Sequence, residues 1–172
     1  FGFLNIMFKI IDSKQPDYMA VAFDVHQPTF RHEMFKDYKG TRKPMMEELR
    51  EQVPVIKELL QKMNITTVEL PGYEADDVIG TLSKKGEKAG MEVDVISGDR
   101  DLLQLASDHI TICIPKTKKG QTTVEEYNTE GVRKLYKVTP TEFIDVKALM
   151  GDSSDNIPGV PGIGEKGATA II

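Results

Sequence analysis

The spacing of apolar side chains changes repeatedly along this chain, and each change marks an element. Phe3, Leu4, Met7, Phe8 and Ile11 recur at three- and four-residue intervals, which predicts a helix over residues 2–12. Residues 18–23 (YMAVAF) are an unbroken apolar run, the pattern of a buried strand, and Asp24 ends it. Periodicity weakens over 28–45 (PTFRHEMFKDYKGTRKPM). It returns over 46–63 as a long amphipathic helix with Leu49, Val53, Ile56, Leu59 and Leu60 on one face. Pro54 is expected to kink or break that helix, because it lacks an N–H and its ring collides with the preceding turn.

Strands and helices alternate in the rest of the chain. Residues 66–70 read as a β-branched strand closed by a Pro71-Gly72 turn. Residues 74–89 read as a helix with Val78, Ile79 and Leu82 inward and Gly90 as its stop. A strand at 92–97 (EVDVIS), a short helix near 102–106, a strand at 110–114 and a short edge at 125–127 follow. A weak helix is expected at 129–136. Thr139-Pro140-Thr141-Glu142 has capping-box spacing with Pro at the first helical position, and opens a helix to Met150. The tail GVPGIGEKGATAII reads as a Gly/Pro hairpin and the start of a helix. This alternation argues for an α/β fold with a mostly parallel central sheet flanked by helices. There is no internal repeat.

The order of elements places eight carboxylates in four short clusters: Asp24 in VAFD; Glu74, Asp76 and Asp77 in GYEADD; Asp99 and Asp101 in SGDRD; Asp152 and Asp155 in GDSSDN. Each lies after an apolar run or at the start of a helical one. In parallel α/β sheets, functional groups collect beyond the carboxyl ends of the strands. Any one of these acids could instead be a helix cap or a solvated loop residue. Together they exceed what caps require, and converging carboxylates stay ionised only beside cations. Hard oxygen donors favour Mg²⁺ or Mn²⁺, and two such ions would account for the number of acids. No Ser/His/Asp or Cys/His arrangement competes, since His26, His32 and His109 are scattered. No Walker-type GxxxxGK[ST] is present, which disfavours nucleotide hydrolysis.

Composition changes this picture in two places. The net charge of −5 argues at first against a nucleic-acid partner. Yet eight of the 27 acids lie in the clusters, and the other 19 face 22 Lys and Arg, an excess of three positive charges. If metals neutralise the clusters, the remaining surface is mildly basic. Cys113 has no disulfide partner in the chain and fits a reducing compartment. The opening FGFLNIMFKII is too short to span a bilayer and lacks secretion-signal features. A cytoplasmic monomer without membrane attachment is expected. The chain also opens without Met in what reads as the middle of a helix, so it is expected to be a piece of a longer protein.

Two segments suit nucleic acid. Residues 29–43 interleave Arg31, His32, Lys36, Lys39, Arg42 and Lys43 with Phe30, Phe35 and Tyr38, a pattern for phosphate contact and base stacking, or else a solvated helix face. The tail places Gly159, Val160, Gly162, Ile163, Gly164 and Lys166 directly after Asp152 and Asp155. Small residues there let backbone N–H groups approach a phosphate.

VAFD, TFRHEMFKDYKGTRKPM, GYEADDVIGTL, ISGDRDLLQLA and LMGDSSDNIPGVPGIGEK resemble, over essentially the whole chain, the 5′-nuclease domain of bacterial DNA polymerase I, kin of the flap endonucleases. The resemblance implies a PIN-like 5′-nuclease fold with a helical arch, about residues 28–45, on a nuclease core of residues 1–138. It implies the start of a helix–three-turn–helix DNA clamp at 139–172. It assigns Asp24, Glu74 and Asp76 to one metal and Asp99, Asp101 and Asp152 to a second, with Asp76 near both. Asp77 and Asp155 become supporting or water-mediated ligands. Arg31, Lys39 and Arg42 match the family's arch and gateway cations, and Tyr38 its neighbouring aromatic. The hairpin Gly159–Gly164 would hold the duplex backbone, with K⁺ on its carbonyls. The implied activity is metal-dependent hydrolysis of DNA from a 5′ end or flap at a duplex junction, as in primer removal, replication and repair, with a polymerase domain in the same polypeptide.

Two departures from the family pattern stand out. The family's first strand, ending in an Asp-Gly pair, is absent, so the sheet is expected to lack a central strand and the first metal a ligand. Gly167 stands where the family usually has Thr, and the clamp's second helix stops at Ile172. Impaired catalysis by the 172 residues alone is therefore one expectation, leaving a DNA-binding module. A PIN-like ribonuclease is the other alternative. An aspartyl-phosphate phosphatase would need a second Asp where VAFD continues with Val25-His26.

Overall fold

The computed structural model describes residues 1–118 and 121–172. The elements run in chain order as α1 (Gly2–Lys14), β1 (Ala20–Ala22), α2 (Phe30–Met34), α3 (Glu47–Arg50), α4 (Gln52–Lys62), β2 (Thr66–Val68) and α5 (Ala75–Lys88). Then come β3 (Val93–Ile96), a 3-10 helix (Arg100–Leu105), β4 (Ile110–Lys118), β5 (Gln121–Tyr127), α6 (Thr129–Tyr136), α7 (Glu142–Met150) and α8 (Glu165–Ile171). β1 and β2 pair in parallel, as do β3 and β4, while β4 and β5 pair antiparallel. The strands fall into two ladders, β1-β2 and β3-β4-β5, with α5 packed against both β1 and β3. The ends of β1 and β3 therefore meet at the N-terminus of α5.

The core sits in the second half of the chain. Val95 on β3, Leu102 and Leu103 on the 3-10 helix, and Ile110, Ile112 and Ile114 on β4 pack with Val132 and Tyr136 of α6, Phe143 and Val146 of α7, and Ala168 of α8. Ile110, Ile112, Val132 and Val146 are wholly buried. The periodic apolar positions of β3 and β4 thus drive this cluster, and removal of apolar surface from water is its main stabilising force. The reciprocal cap expected at the start of α7 is formed: the Thr139 N–H donates to Glu142 Oε2 at 2.7 Å and the Glu142 N–H to Thr139 Oγ1 at 3.2 Å.

Three sequence expectations change. The long helix over 46–63 divides into α3 and α4 at Glu51, ahead of Pro54. The reason is the proline's reach: its ring collides with the carbonyl four residues back, at Arg50, where α3 ends. Leu82 is exposed, and Ser83 takes the inward position, its hydroxyl donating to the Ile79 carbonyl at 2.7 Å. The region 28–45 forms one five-residue helix, α2, followed by turns.

Gly151 and Gly159 mark where the chain crosses itself after α7. A Cβ on Gly159 would lie 2.3 Å from the Met150 carbonyl carbon, and one on Gly151 would lie 2.2 Å from the Gly159 nitrogen. The Val160 N–H donates to the Leu149 carbonyl at 2.8 Å across the same crossing. Gly159→Ala should therefore cost at least about 2 kcal/mol of unfolding free energy, because backbone cannot yield to the added carbon. Urea denaturation of this variant checks the crossing; an unchanged midpoint would contradict it.

Candidate metal centre

Asp24 follows β1, and its Oδ1 accepts the Ala75 N–H of α5 at 2.8 Å. That bond ties the end of β1 to a helix N-terminus, where backbone donors and the helix dipole favour negative charge. Glu74 precedes the same helix and is nearly buried. Asp76, in the first turn of α5, is half-buried. Its burial, followed by the charges of Asp99, Asp24 and Glu74, pushes its carboxyl up to about 6. Four sequence-predicted ligands thus face one another around Asp76.

Asp99 continues the nest to the other side. It caps the 3-10 helix by accepting the Asp101 N–H at 2.8 Å. Asp101 is raised by its burial first, and also by Asp99 and Asp152. Asp152 Oδ1 accepts the Ser154 N–H at 2.8 Å and the Ser154 hydroxyl at 2.6 Å, while Oδ2 takes the Lys147 ammonium at 3.0 Å. Against the cost of partial burial, those bonds draw the Asp152 carboxyl down to about 2. Lys147 also lies 2.8 Å from Asp101 Oδ1. The Lys147–Asp101 pair looks different from its two ends, since Lys147 is raised while Asp101 is raised as well. Burial is the main reason that Asp101 stays raised, with Asp99 and Asp152 adding to it, and the Lys147 charge offsets only part of this.

The remaining predicted ligands are engaged otherwise. Asp77 takes Arg31 in a two-pronged ion pair, 2.7 Å and 2.8 Å, and its Oδ2 accepts the Glu74 N–H at 2.9 Å. The Arg31 bond foremost lowers the Asp77 carboxyl and raises the Arg31 guanidinium. Asp155 pairs with Arg42 and accepts the Tyr38 hydroxyl at 3.1 Å. The i, i+3 spacing of Glu74 and Asp77 is accordingly that of a helix cap, and Asp77 and Asp155 have their oxygens occupied by cations and donors. Tyr38, expected to present an aromatic face to DNA, is 5% exposed. Its hydroxyl also donates to Glu74 Oε2 at 3.0 Å, and burial raises it well above the usual phenol range. Lys39 reaches Glu74 Oε1 at 2.7 Å. The Lys39 N–H donates to the Asp155 carbonyl at 2.9 Å, and Asn156 Nδ2 to the Asp37 carbonyl at 2.8 Å. The basic segment is therefore fastened to the 152–156 loop.

In the hairpin, Gly159 and Val160 serve the chain crossing, and Ile163 packs against the core. Gly162, with φ +82°, and Gly164 have open space where a Cβ would stand, and Lys43 and Lys166 are exposed. Lys147 and Ser154 are the site residues that sequence reasoning missed. A lysine within an ordinary helical pattern carries no signature.

Among the described residues, no group of three or more His, Cys, Asp or Glu side chains is drawn to metal-ligand geometry. The donor set nevertheless fits hard divalent cations: every donor is a carboxylate oxygen, and burial followed by the charges of Asp99, Asp24 and Glu74 raises Asp76. The ammonium groups of Lys39 and Lys147 offset part of that charge. Among the described residues, no helix is long and apolar enough to cross a membrane.

Comparison with known proteins identifies the family. Residues 1–137 match the family model of the 5′-3′ exonuclease N-terminal resolvase-like domain, and residues 138–172 that of the 5′-3′ exonuclease C-terminal SAM fold. DNA polymerase I of Bacillus caldotenax is 54% identical over all 172 residues. The chain spans 19% of that relative's length. A structure of T5 5′-exonuclease with bound zinc superposes with a TM-score of 0.77 at 28% identity, covering 99% of this chain and 65% of that one. The bacteriophage T5 D15 flap endonuclease, in complex with DNA and metal ions, gives 0.78 at 27% identity with the same coverages. The chain belongs to the 5′-3′ exonuclease family.

Asp77→Ala should lower unfolding free energy by about 1–2 kcal/mol, the scale of a lost cap. It should leave the number of bound divalent ions unchanged. Paired denaturation and Mn²⁺ titration test this; loss of an ion with no loss of stability would make Asp77 a ligand instead.

Proposed function

We propose that this chain hydrolyses DNA phosphodiesters from a 5′ end, as a 5′-3′ exonuclease and 5′-flap endonuclease, using two Mg²⁺ or Mn²⁺ ions. The carrying observation is the nest of Asp24, Glu74, Asp76 and Asp99 around the α5 N-terminus, in which burial and then the three neighbouring charges raise Asp76. Asp24, Glu74 and Asp76 would hold one ion and Asp99, Asp101 and Asp152 the other, with Asp76 near both. When bound, such ions activate water and neutralise charge on the scissile phosphate.

This chain's other residues orient the substrate. Lys39 and Arg42, held beside Glu74 and Asp155, stand where a phosphate entering the nest would meet cations. Arg31 keeps Asp77 and the start of α5 in place. The open backbone at Gly162 and Gly164, with Lys43 and Lys166, would contact the duplex, and a monovalent cation such as K⁺ would suit the hairpin carbonyls. A nuclease core over 1–138 and a clamp beginning at 139 follow from this reading. So do the further inferences of a cytoplasmic monomer working in primer removal and repair, with a polymerase domain in the same polypeptide. The relative named DNA polymerase I, five times longer than this chain, supports the last of these.

A 5′-labelled flap duplex should be cut near the junction in Mg²⁺ and not in EDTA. Asp99→Asn should slow cleavage at least about 100-fold, the scale of losing one group that stabilises the transition state, while duplex binding persists. Near-normal cleavage by Asp99→Asn in Mg²⁺ would refute the metal role. Metal-dependent cleavage of single-stranded RNA without a junction would support the ribonuclease alternative. Binding without cleavage by the unaltered chain would support the DNA-binding module.

A further inference from the structure

Lys147 lies one turn before the end of α7, with its side chain 24% exposed. Its ammonium is shared by Asp101 Oδ1 at 2.8 Å and Asp152 Oδ2 at 3.0 Å. These two acids come from different parts of the chain, the 3-10 helix after β3 and the loop after α7. Asp99 is the third acid near them, and it reaches Asp101 by charge. We propose that Lys147 is a built-in counter-ion that competes with the second divalent ion and sets its affinity. This inference rests on the two-ion reading above.

The physical reason is that one pair of oxygens serves two kinds of cation. An ammonium sits nearly 3 Å from each oxygen, whereas a small hard dication draws its oxygen ligands to about 2.0–2.1 Å. Both cannot occupy the space between Asp101 and Asp152, so an entering ion must turn Lys147 aside. Without a cation, the three acids repel one another across a partly dry site. The lysine therefore holds Asp101 and Asp152 near each other at low metal concentration and weakens the ion that replaces it. A lysine that merely oriented the two ligands would do the reverse, and its removal would weaken metal binding.

The test is a Mn²⁺ titration at neutral pH, with free Mn²⁺ read by electron paramagnetic resonance, on the unaltered chain, Lys147→Met and Lys147→Arg. Lys147→Met keeps the apolar stem and removes the charge. It should bind the weaker of two ions at least about tenfold more tightly, the scale of a unit charge facing a dication across several ångström in a mostly aqueous medium. Lys147→Arg retains the charge and should stay close to the unaltered chain. If Lys147→Met does not fold, Lys147→Gln, which keeps a hydrogen-bond donor without the charge, carries the same expectation. Two ions on Lys147→Met with the second no tighter, or weaker, overturn the counter-ion role alone. Two ions on the unaltered chain but fewer on Lys147→Met likewise overturn the counter-ion role alone, whereas fewer than two ions on the unaltered chain and on every variant overturn the two-ion reading and this inference with it.

Discussion

Mutual repulsion among carboxylates is the constraint around which the rest of this structure is arranged. Asp24, Glu74, Asp76 and Asp99 meet because β1 and β3 both end where α5 begins. Bringing four acids into a half-buried space is unfavourable unless positive charge accompanies them. Three sources of compensation are present. The α5 N-terminus offers backbone donors, Lys39 reaches Glu74, and Lys147 bridges Asp101 and Asp152. Each is partial, and Asp76 stays raised, first by its burial and then by the charges of Asp99, Asp24 and Glu74.

The same electrostatics hold together parts of the fold that apolar packing leaves apart. The buried cluster is centred on β3, β4, the 3-10 helix and the last three helices. Residues 35–46, by contrast, bury little besides Tyr38. This stretch is attached by polar contacts: Tyr38 to Glu74 and Asp155, Lys39 to Glu74, Arg42 to Asp155, and Asn156 to the Asp37 carbonyl. Contacts of this kind can exchange for a phosphate or a cation at modest cost, since partly exposed ion pairs contribute little net stability.

Much of this was legible in the sequence. Apolar runs placed β1, β2, β3 and the start of β4, and the helical period placed α1, α5 and α6, because these patterns report burial directly. The convergence of Asp24, Asp76 and Asp99 was legible from strand ends. What was not legible concerns partners distant in sequence. The i, i+3 pair of Glu74 and Asp77 looks alike as cap or ligand set, and only Arg31, 46 residues earlier, separates the two. Tyr38 sits in a basic, exposed-looking stretch, and its burial depends on two acids from elsewhere. Lys147 lies in a helix where any long polar residue would suit the pattern. Gly159 was read as room for a phosphate, when its nearest constraint is the chain's own backbone at Met150.

Anomalous diffraction from crystals of this chain grown with Mn²⁺ tests the central claim most directly. Two manganese peaks are expected, one bound by Asp24, Glu74 and Asp76 and the other by Asp99, Asp101 and Asp152, with the Lys147 ammonium moved off the Asp101–Asp152 pair. No peak within this nest, or a peak liganded by Asp77 and Asp155 in place of Asp76 and Asp99, would contradict the account.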